Sequence, residues 1–288
     1  MPRDHIKLQI IIIIWGFTAV LGELINLSAF AIAFYRTGLA ALCLALWLGR
    51  RNRVPIRHAL LFFVMGFVIG AHWLTFFLAV KVANVSICMV GVATISLWTA
   101  ILEPLMIKGR KFRPIDLIFG TIIVSGVAII YRSELQYSHG FLIALLSAFF
   151  AAAFSVLNGF HFSKAHHLVI TFYEMLGACL IALVFVIFSP GTFPIPPTSL
   201  DWLWLAILAI FCTVIAFSQY VELLKRLSVF TINFANNLEP VYGILLAALI
   251  LHEYENLNSG FYLGASVIFI SVASYPIVRR RYTVAPIS

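Results

Sequence analysis

Charge is scarce in this chain: Asp and Glu together number 11 and Lys and Arg 19 among 288 residues. With 10% charged and 62% hydrophobic residues, the composition leaves no room for a soluble domain of ordinary size. The four cysteines, Cys43, Cys88, Cys179 and Cys212, stand isolated in apolar sequence, with no C-x-x-C and no His spaced to join them in a metal site. They read as small core residues without a redox role. Also missing are a G-x-S-G nucleophile, H-E-x-x-H, a paired-aspartate motif, a P-loop and G-x-G-x-x-G. These absences argue against a hydrolase and against a primary ATP-driven pump; no enzyme activity, cofactor or metal is expected. Strict apolar/polar alternation is absent too, which excludes the strands of a membrane barrel.

What the chain does contain is ten apolar stretches of roughly 17 to 23 residues, each long enough to cross a hydrocarbon layer of about 30 Å. They fall at 8–25, 29–48, 59–80, 85–107, 115–131, 140–160, 168–188, 202–223, 229–251 and 259–278. Backbone amides have no water partner in lipid, so these stretches must be helices. The expected fold is an all-α membrane protein of ten transmembrane helices. Basic residues sort by loop parity. Arg3, Lys7, the clusters at 50–57 and 108–113, Lys164, Lys225, Arg226 and Arg279 to Arg281 share the side of the N-terminus, against Lys81 and Arg132 on the other. The positive-inside rule then puts both termini in the cytoplasm of a cell, or inner, membrane. A net charge of +8 distributed this way is topological and does not indicate a nucleic-acid partner. A signal peptide is the competing reading of the N-terminus, but its removal would leave nine spans and spoil the parity.

Five and five spans make two halves, 1–138 and 139–288. An odd number of spans per half means that the second copy enters the membrane upside down, the logic of inverted repeats. Phe34-Tyr35 matches Phe172-Tyr173 at one offset; Lys81, Leu105, Gly120 and Tyr131 match Lys225, Leu249, Gly264 and Tyr275 at another, with the change falling in the Pro-rich loop 189–197. The second half carries Leu223-Leu224-Lys225-Arg226-Leu227-Ser228, then Asn237-Leu238-Glu239-Pro240-Val241-Tyr242, then Leu251-His252-Glu253. This sequence resembles the A-L-K-R-x-S, L-E-P-V-F and L-G-E signature of EamA-type permeases of the drug/metabolite transporter superfamily, and the likeness covers nearly the whole chain. The first half departs from it, with Ile95-Ser96-Leu97-Trp98 and Lys108-Gly109-Arg110 at the corresponding places. The resemblance implies ten helices in two inverted five-helix repeats and transport of small organic solutes, often outward.

Ionisable residues inside a membrane are expensive and therefore candidates for function. Glu23, Glu103 and Glu222 lie near span ends, where a basic partner or snorkelling accounts for them. Arg36 and Glu174 lie deeper, at matching places in the two halves, and read equally as functional groups or as a buried ion pair. Glu239 lies mid-span before Pro240, which lacks an N–H and so frees the carbonyl of Asn236. Asn233, Asn236 and Asn237 share one helical face just before that break. Pro104 frees the carbonyl of Ala100 in the same way. His72, with Thr75 on its face, titrates in a range suited to proton coupling or polar contact. Trp15, Trp98 and Gln219 complete the expected solute cavity of Trp15, His72, Thr75, Trp98, Gln219, Asn233, Asn236, Asn237 and Glu239. Arg36, Glu174, Glu239 and His72 are the candidates for charge or proton coupling. Gly66-x-x-x-Gly70 and Gly260-x-x-x-Gly264 read as intramolecular packing strips. The expected protein is a secondary transporter of amino acids, nucleosides or drug-like amphipaths, a monomer or homodimer in lipid. A polytopic membrane enzyme and a facilitative channel are the alternatives.

Overall fold

The computed structural model describes residues 2–49, 53–107, 114–191, 193–227, 232 and 235–283, which are overwhelmingly helical and contain no strand. In chain order the helices are α1 (Pro2–Leu24), α2 (Ala29–Leu48), α3 (Ile56–Val82), α4 (Val85–Val92), α5 (Ile95–Met106), α6 (Pro114–Ser133), α7 (Ser138–His161), α8 (His167–Phe188), α9 (Ser199–Ala209), α10 (Ala216–Leu223), α11 (Glu239–Leu251) and α12 (Ser259–Thr283). A π-helical segment, Ile210–Ile215, joins α9 to α10. Seven helical stretches are long and apolar enough to cross a membrane: Arg3–Leu24, Ala29–Leu48, Ile56–Val82, Val85–Met106, Leu135–Lys164, His167–Phe188 and Ser199–Leu223. Ile118–Ser133, Glu239–Leu251 and Ser259–Tyr275 are apolar but shorter, and much of the segment before Glu239 lies outside the described residues.

Outward faces are as apolar as inward ones. Leu46, Trp47, Phe188 and Leu249 are largely exposed, an arrangement that water would penalise and a hydrocarbon solvent does not. Inside, α3 packs on both α7 and α8, α2 on α8, α1 on α11, and α6 on α12. The larger core runs through α1, α2, α3, α7, α8 and α10. A smaller one, built on Ile87, Ile130, Phe141, Phe261 and Ile268, ties α6 and α12 to α4 and α7.

Close approach explains the small-residue strips. A Cβ on Gly177 would collide with the carbonyl of Phe63, and one on Gly66 with the carbonyl of Glu174, so α3 and α8 meet backbone to backbone. Gly260 and Gly264 likewise face Ser133 and Ile130 of α6. Both strips pack within the chain, as lipid-embedded helices without a hydrophobic driving force require.

Helix ends are held by side chains. Glu253 accepts from the amides of Val85 (2.8 Å) and Ser86 (2.7 Å) at the start of α4, where Asn84 also caps Ile87 at 2.8 Å. Asp201 closes a capping box with Thr198 and accepts from the amide of Asn26 at 2.8 Å. Such carboxylates satisfy orphan N–H groups that would be costly in a low-dielectric setting.

Candidate functional site

The spanning stretch Val85–Met106 is interrupted near its middle, and this interruption and the helix break that precedes the shorter helix Glu239–Leu251 both face one cavity. The first breaks between α4 and α5 at Ala93 and Thr94, with Ile95 opening the second piece. The second breaks at a 3-10 turn, Asn236–Leu238, after which α11 starts with Glu239-Pro240. Pro240 at the first turn of α11 costs no hydrogen bond, because an amide there is an orphan anyway. The carbonyl of Asn236, expected from the sequence to be free, instead accepts from the amide of Glu239. Tightening to an i to i+3 bond replaces the bond that proline cannot give. What remains unpartnered at this break is the side-chain Oδ1 of Asn236.

The cavity is partly open to the outside, and its wall includes Ile95, Asn236 and Glu239 from the two breaks, Trp15 and Thr18 from α1, Arg36 from α2 and His72 from α3. Aromatic rings form most of the remaining wall. Phe154 of α7 and Phe217 of α10 are stacked at 5.6 Å, Trp15 lies 5.5 Å from Tyr220, and Trp73 lies 5.8 Å from Phe217. A largely apolar pocket with a few convergent polar groups has the usual character of a small-molecule site.

Arg36 supplies the positive charge. It is 1% exposed, its Nε donates to Thr213 Oγ1 at 2.8 Å, and its guanidinium lies 4.2 Å from the centre of the Trp73 ring. A cation desolvated over an indole gains roughly 2 kcal/mol, which offsets part of the cost of burying it. Nη1 has no partner. Glu239, half-buried on the same wall, makes no hydrogen bond or ion pair to Arg36 among the described residues. The cavity therefore presents a cation and a carboxyl group that are not used up on each other.

The π-helical segment builds this wall. Widening the turn at Ile210–Ile215 lets Thr213 Oγ1 donate to the carbonyl of Leu208 at 2.9 Å, and the same oxygen receives Arg36. The carbonyl of Cys212 accepts the indole N–H of Trp15 at 3.1 Å. A π-bulge releases carbonyls that a regular helix would consume, and such bulges recur at functional sites. On the opposite side, His72 Nδ1 meets Ser147 Oγ at 2.9 Å, fastening the imidazole to α7.

Of the residues singled out from sequence, Trp15, His72, Asn236, Glu239 and Arg36 converge on the cavity. Thr75, Trp98 and Gln219 are not among the cavity-lining residues. Thr75 donates to the carbonyls of Ala71 and His72 in its own helix, and Trp98 packs edge-on against Phe149 at 5.3 Å. Pro104 lies inside α5, away from the wall. Asn233 and the side chain of Asn237 lie outside the described residues. The expected alternative of a buried Arg36–Glu174 ion pair is corrected: among the described residues Arg36 bonds to Thr213, whereas Glu174 is fully buried beside Asn158 and forms no ion pair. Sequence reading missed Thr213, Phe154, Phe217, Ser155 and Tyr220. The last two share a hydrogen bond of 3.1 Å between their hydroxyls. A π-bulge has no sequence motif of its own, so the segment Ile210–Ile215 and its Thr213 contact were not read from the chain.

A model of the EamA-like transporter family matches residues 6–132 and, a second time, residues 138–275. The chain belongs to the EamA-like transporter family. It is thus a multi-pass membrane transporter with a two-repeat architecture, handling a small-molecule solute in lipid. A solved structure described only as a crystal structure of a protein is similar at 18% identity, covering 99% of this chain and 100% of its own, with a TM-score of 0.67; that likeness concerns the fold. No curated protein matches the chain.

In the transporter, both ends of the bundle are tied. Where α1 begins, Lys7 pairs with Glu222 at 3.2 Å, and Arg226 bridges Asp4 at 3.0 Å and Glu222 at 3.4 Å. Where α1 ends, Lys81 donates to the carbonyls of Glu23 and Ile25, both at 3.1 Å. The Pro-rich loop is held over that end by Tyr35, whose hydroxyl donates to the carbonyl of Pro194 at 2.9 Å.

Proposed function

We propose that the transporter is a secondary carrier that moves an amphipathic organic solute, of the size of an amino acid, nucleoside or small drug, through the cavity by alternating access. The observation that carries this reading is the meeting of two helix breaks at one cavity that holds Arg36 and Glu239 without pairing them among the described residues. Broken helices near the centre of a bundle offer unsatisfied polar groups to a solute, which is how many secondary carriers build their sites. Trp15, His72, Asn236 and Glu239 contact the solute in this reading, and Arg36 and Glu239 respond to its charge. Glu239 is the group that exchanges a proton if transport is coupled.

Ten crossings in two inverted halves, divided at 138/139, are the architecture that goes with this mechanism. In support, the packing of α1 on α11 is mirrored by α7 on α4 and α5, and that of α3 on α7 by α10 on α1. Cytoplasmic termini follow from the basic loops, and export is the proposed direction. The ion pairs at the start of α1 and the Lys81 contacts at its end are placed to open alternately.

Exchange of a mixed radiolabelled pool of amino acids and nucleosides in proteoliposomes tests the reading, using wild type and Glu239→Gln with and without a pH gradient. Saturable exchange that Glu239→Gln abolishes is expected. Unsaturable flux through the folded protein would refute the carrier and favour a channel. Equal exchange in both proteins would remove Glu239 from the cycle.

A further inference from the structure

Behind the cavity wall, two polar side chains face each other and, among the described residues, have no well-aligned partner besides one another. Glu174 of α8 and Asn158 of α7 are both fully buried. The Asn158 amide is close enough to act on the Glu174 carboxyl as a hydrogen-bond partner, but among the described residues no atom of either side chain reaches well-aligned hydrogen-bonding geometry. Four orphan polar atoms in adjacent side chains are far from the norm for a protein interior, where such groups are paired or hold ordered water.

The surroundings decide what the cluster can be. Tyr220 of α10 interacts electrostatically with Glu174, and its hydroxyl reaches Ser155 Oγ at 3.1 Å. Tyr220 and Ser155 both line the cavity, and Ser155 lies one helical turn before Asn158 on α7. Gly66 of α3 lies against the backbone of Glu174 and brings no charge. The charged group of α2, Arg36, is bonded to Thr213 and stacked on Trp73. The imidazole of α3, His72, is bonded to Ser147. Among the described residues, an ionised Glu174 would thus sit in the bundle interior with no counter-ion and with only the Asn158 amide as a donor, an expensive state for a carboxylate. A neutral carboxylic acid escapes that cost.

We propose that Glu174 and Asn158 form an internal proton site, separate from Glu239, which exchanges its proton with the cavity through Tyr220 and Ser155. In the deprotonation step the carboxyl O–H bond breaks and the proton passes to a water held between Glu174 and Asn158. The Tyr220 and Ser155 hydroxyls relay it, each accepting one proton and releasing its own, until a cavity water carries it away as hydronium. The carboxylate that remains has the Asn158 amide as its donor and needs water in the cluster to complete its hydrogen bonding. Proton occupancy is therefore linked to hydration of the cluster. This site depends on neither the identity of the solute nor the carrier reading, and its test needs no transport.

Infrared spectra of the purified full chain in lipid, at neutral pH in H₂O and in D₂O, read the site directly. A carboxylic C=O band at the high-frequency, weakly hydrogen-bonded end of its range is expected in wild type and Glu239→Gln, and is lost in Glu174→Gln. It should shift down in D₂O, and more slowly in Ser155→Ala. If Glu174→Gln does not fold, Asn158→Leu provides the assignment, because it removes the facing amide and should move the same band. A carboxylate signal in place of the acid band would overturn the proposal. So would an acid band unmoved by D₂O, one unmoved by Asn158→Leu, or equal exchange rates in Ser155→Ala and wild type.

Discussion

Thr213→Val should destabilise the transporter more than Arg36→Met, although the second change removes a whole charged side chain from the interior. Thr213 Oγ1 is the acceptor for Arg36 Nε at 2.8 Å, and both residues are buried. Valine keeps the shape and deletes the acceptor, leaving a guanidinium N–H unpaired beside an Nη1 that already lacks a partner. Loss of a hydrogen bond to a charged group costs about 1.5–3 kcal/mol. Arg36→Met loses that bond and the contact with Trp73, together about 3–5 kcal/mol, but recovers a desolvation penalty of several kcal/mol. Its net effect on stability should lie near zero. In the double variant Arg36→Met/Thr213→Val, the valine should cost only the weaker bond from Thr213 to the carbonyl of Leu208, 2.9 Å long, about 1 kcal/mol. Apparent melting temperatures in one detergent, arranged as a double-mutant cycle, measure the coupling. An Arg36→Met variant less stable than Thr213→Val, or a cycle without coupling, would refute the reasoning. Solute exchange should be lost in Arg36→Met even though the protein stands.

Three further outcomes are expected. Gly177→Val should abolish a monodisperse elution profile, because its Cβ meets the carbonyl of Phe63 rather than a movable side chain; overpacking of that kind costs about 1–3 kcal/mol or more. Gly120, whose Cβ would meet only Leu97 Cδ1 at 3.1 Å, should tolerate alanine in the same assay. Glu253→Ala strips two amides at the start of α4 of their acceptor and should cost about 1–2 kcal/mol by thermal melting, with Glu253→Gln retaining part of that. Trp15→Phe keeps the ring but frees the carbonyl of Cys212. Its cost should be about 1 kcal/mol, with solute exchange weakened more than stability.

Seven of the ten expected spans meet helices long and apolar enough to cross a membrane among the described residues, and these were legible because hydrocarbon imposes a simple demand on each of them separately. The expected 29–48 and 168–188 meet α2 and Ala29–Leu48, and α8 and His167–Phe188, within a residue. A long apolar run is a property of one segment and needs no partner to be recognised. Glu239, Asn236, His72 and Trp15 were found for a similar reason, since a polar or indole group inside such a run is conspicuous alone. Thr75 and Gln219 show where that logic fails. Nothing along the chain tells whether a threonine hydroxyl satisfies its own helix, as Thr75 does, or faces a cavity.

By itself, the sequence determined the helical class, the lipid setting, the two-part organisation and the resemblance to a transporter family, because each rests on local composition or on motifs read in order. Only the tertiary structure decided that Arg36 bonds to Thr213 and not to Glu174, that the two helix breaks open onto one cavity, and that Glu174 is left facing Asn158. These depend on which helix faces are brought together and on a π-bulge that rotates one of them. Such choices are set by the packing of small residues between helices distant in sequence, so no single segment carries them.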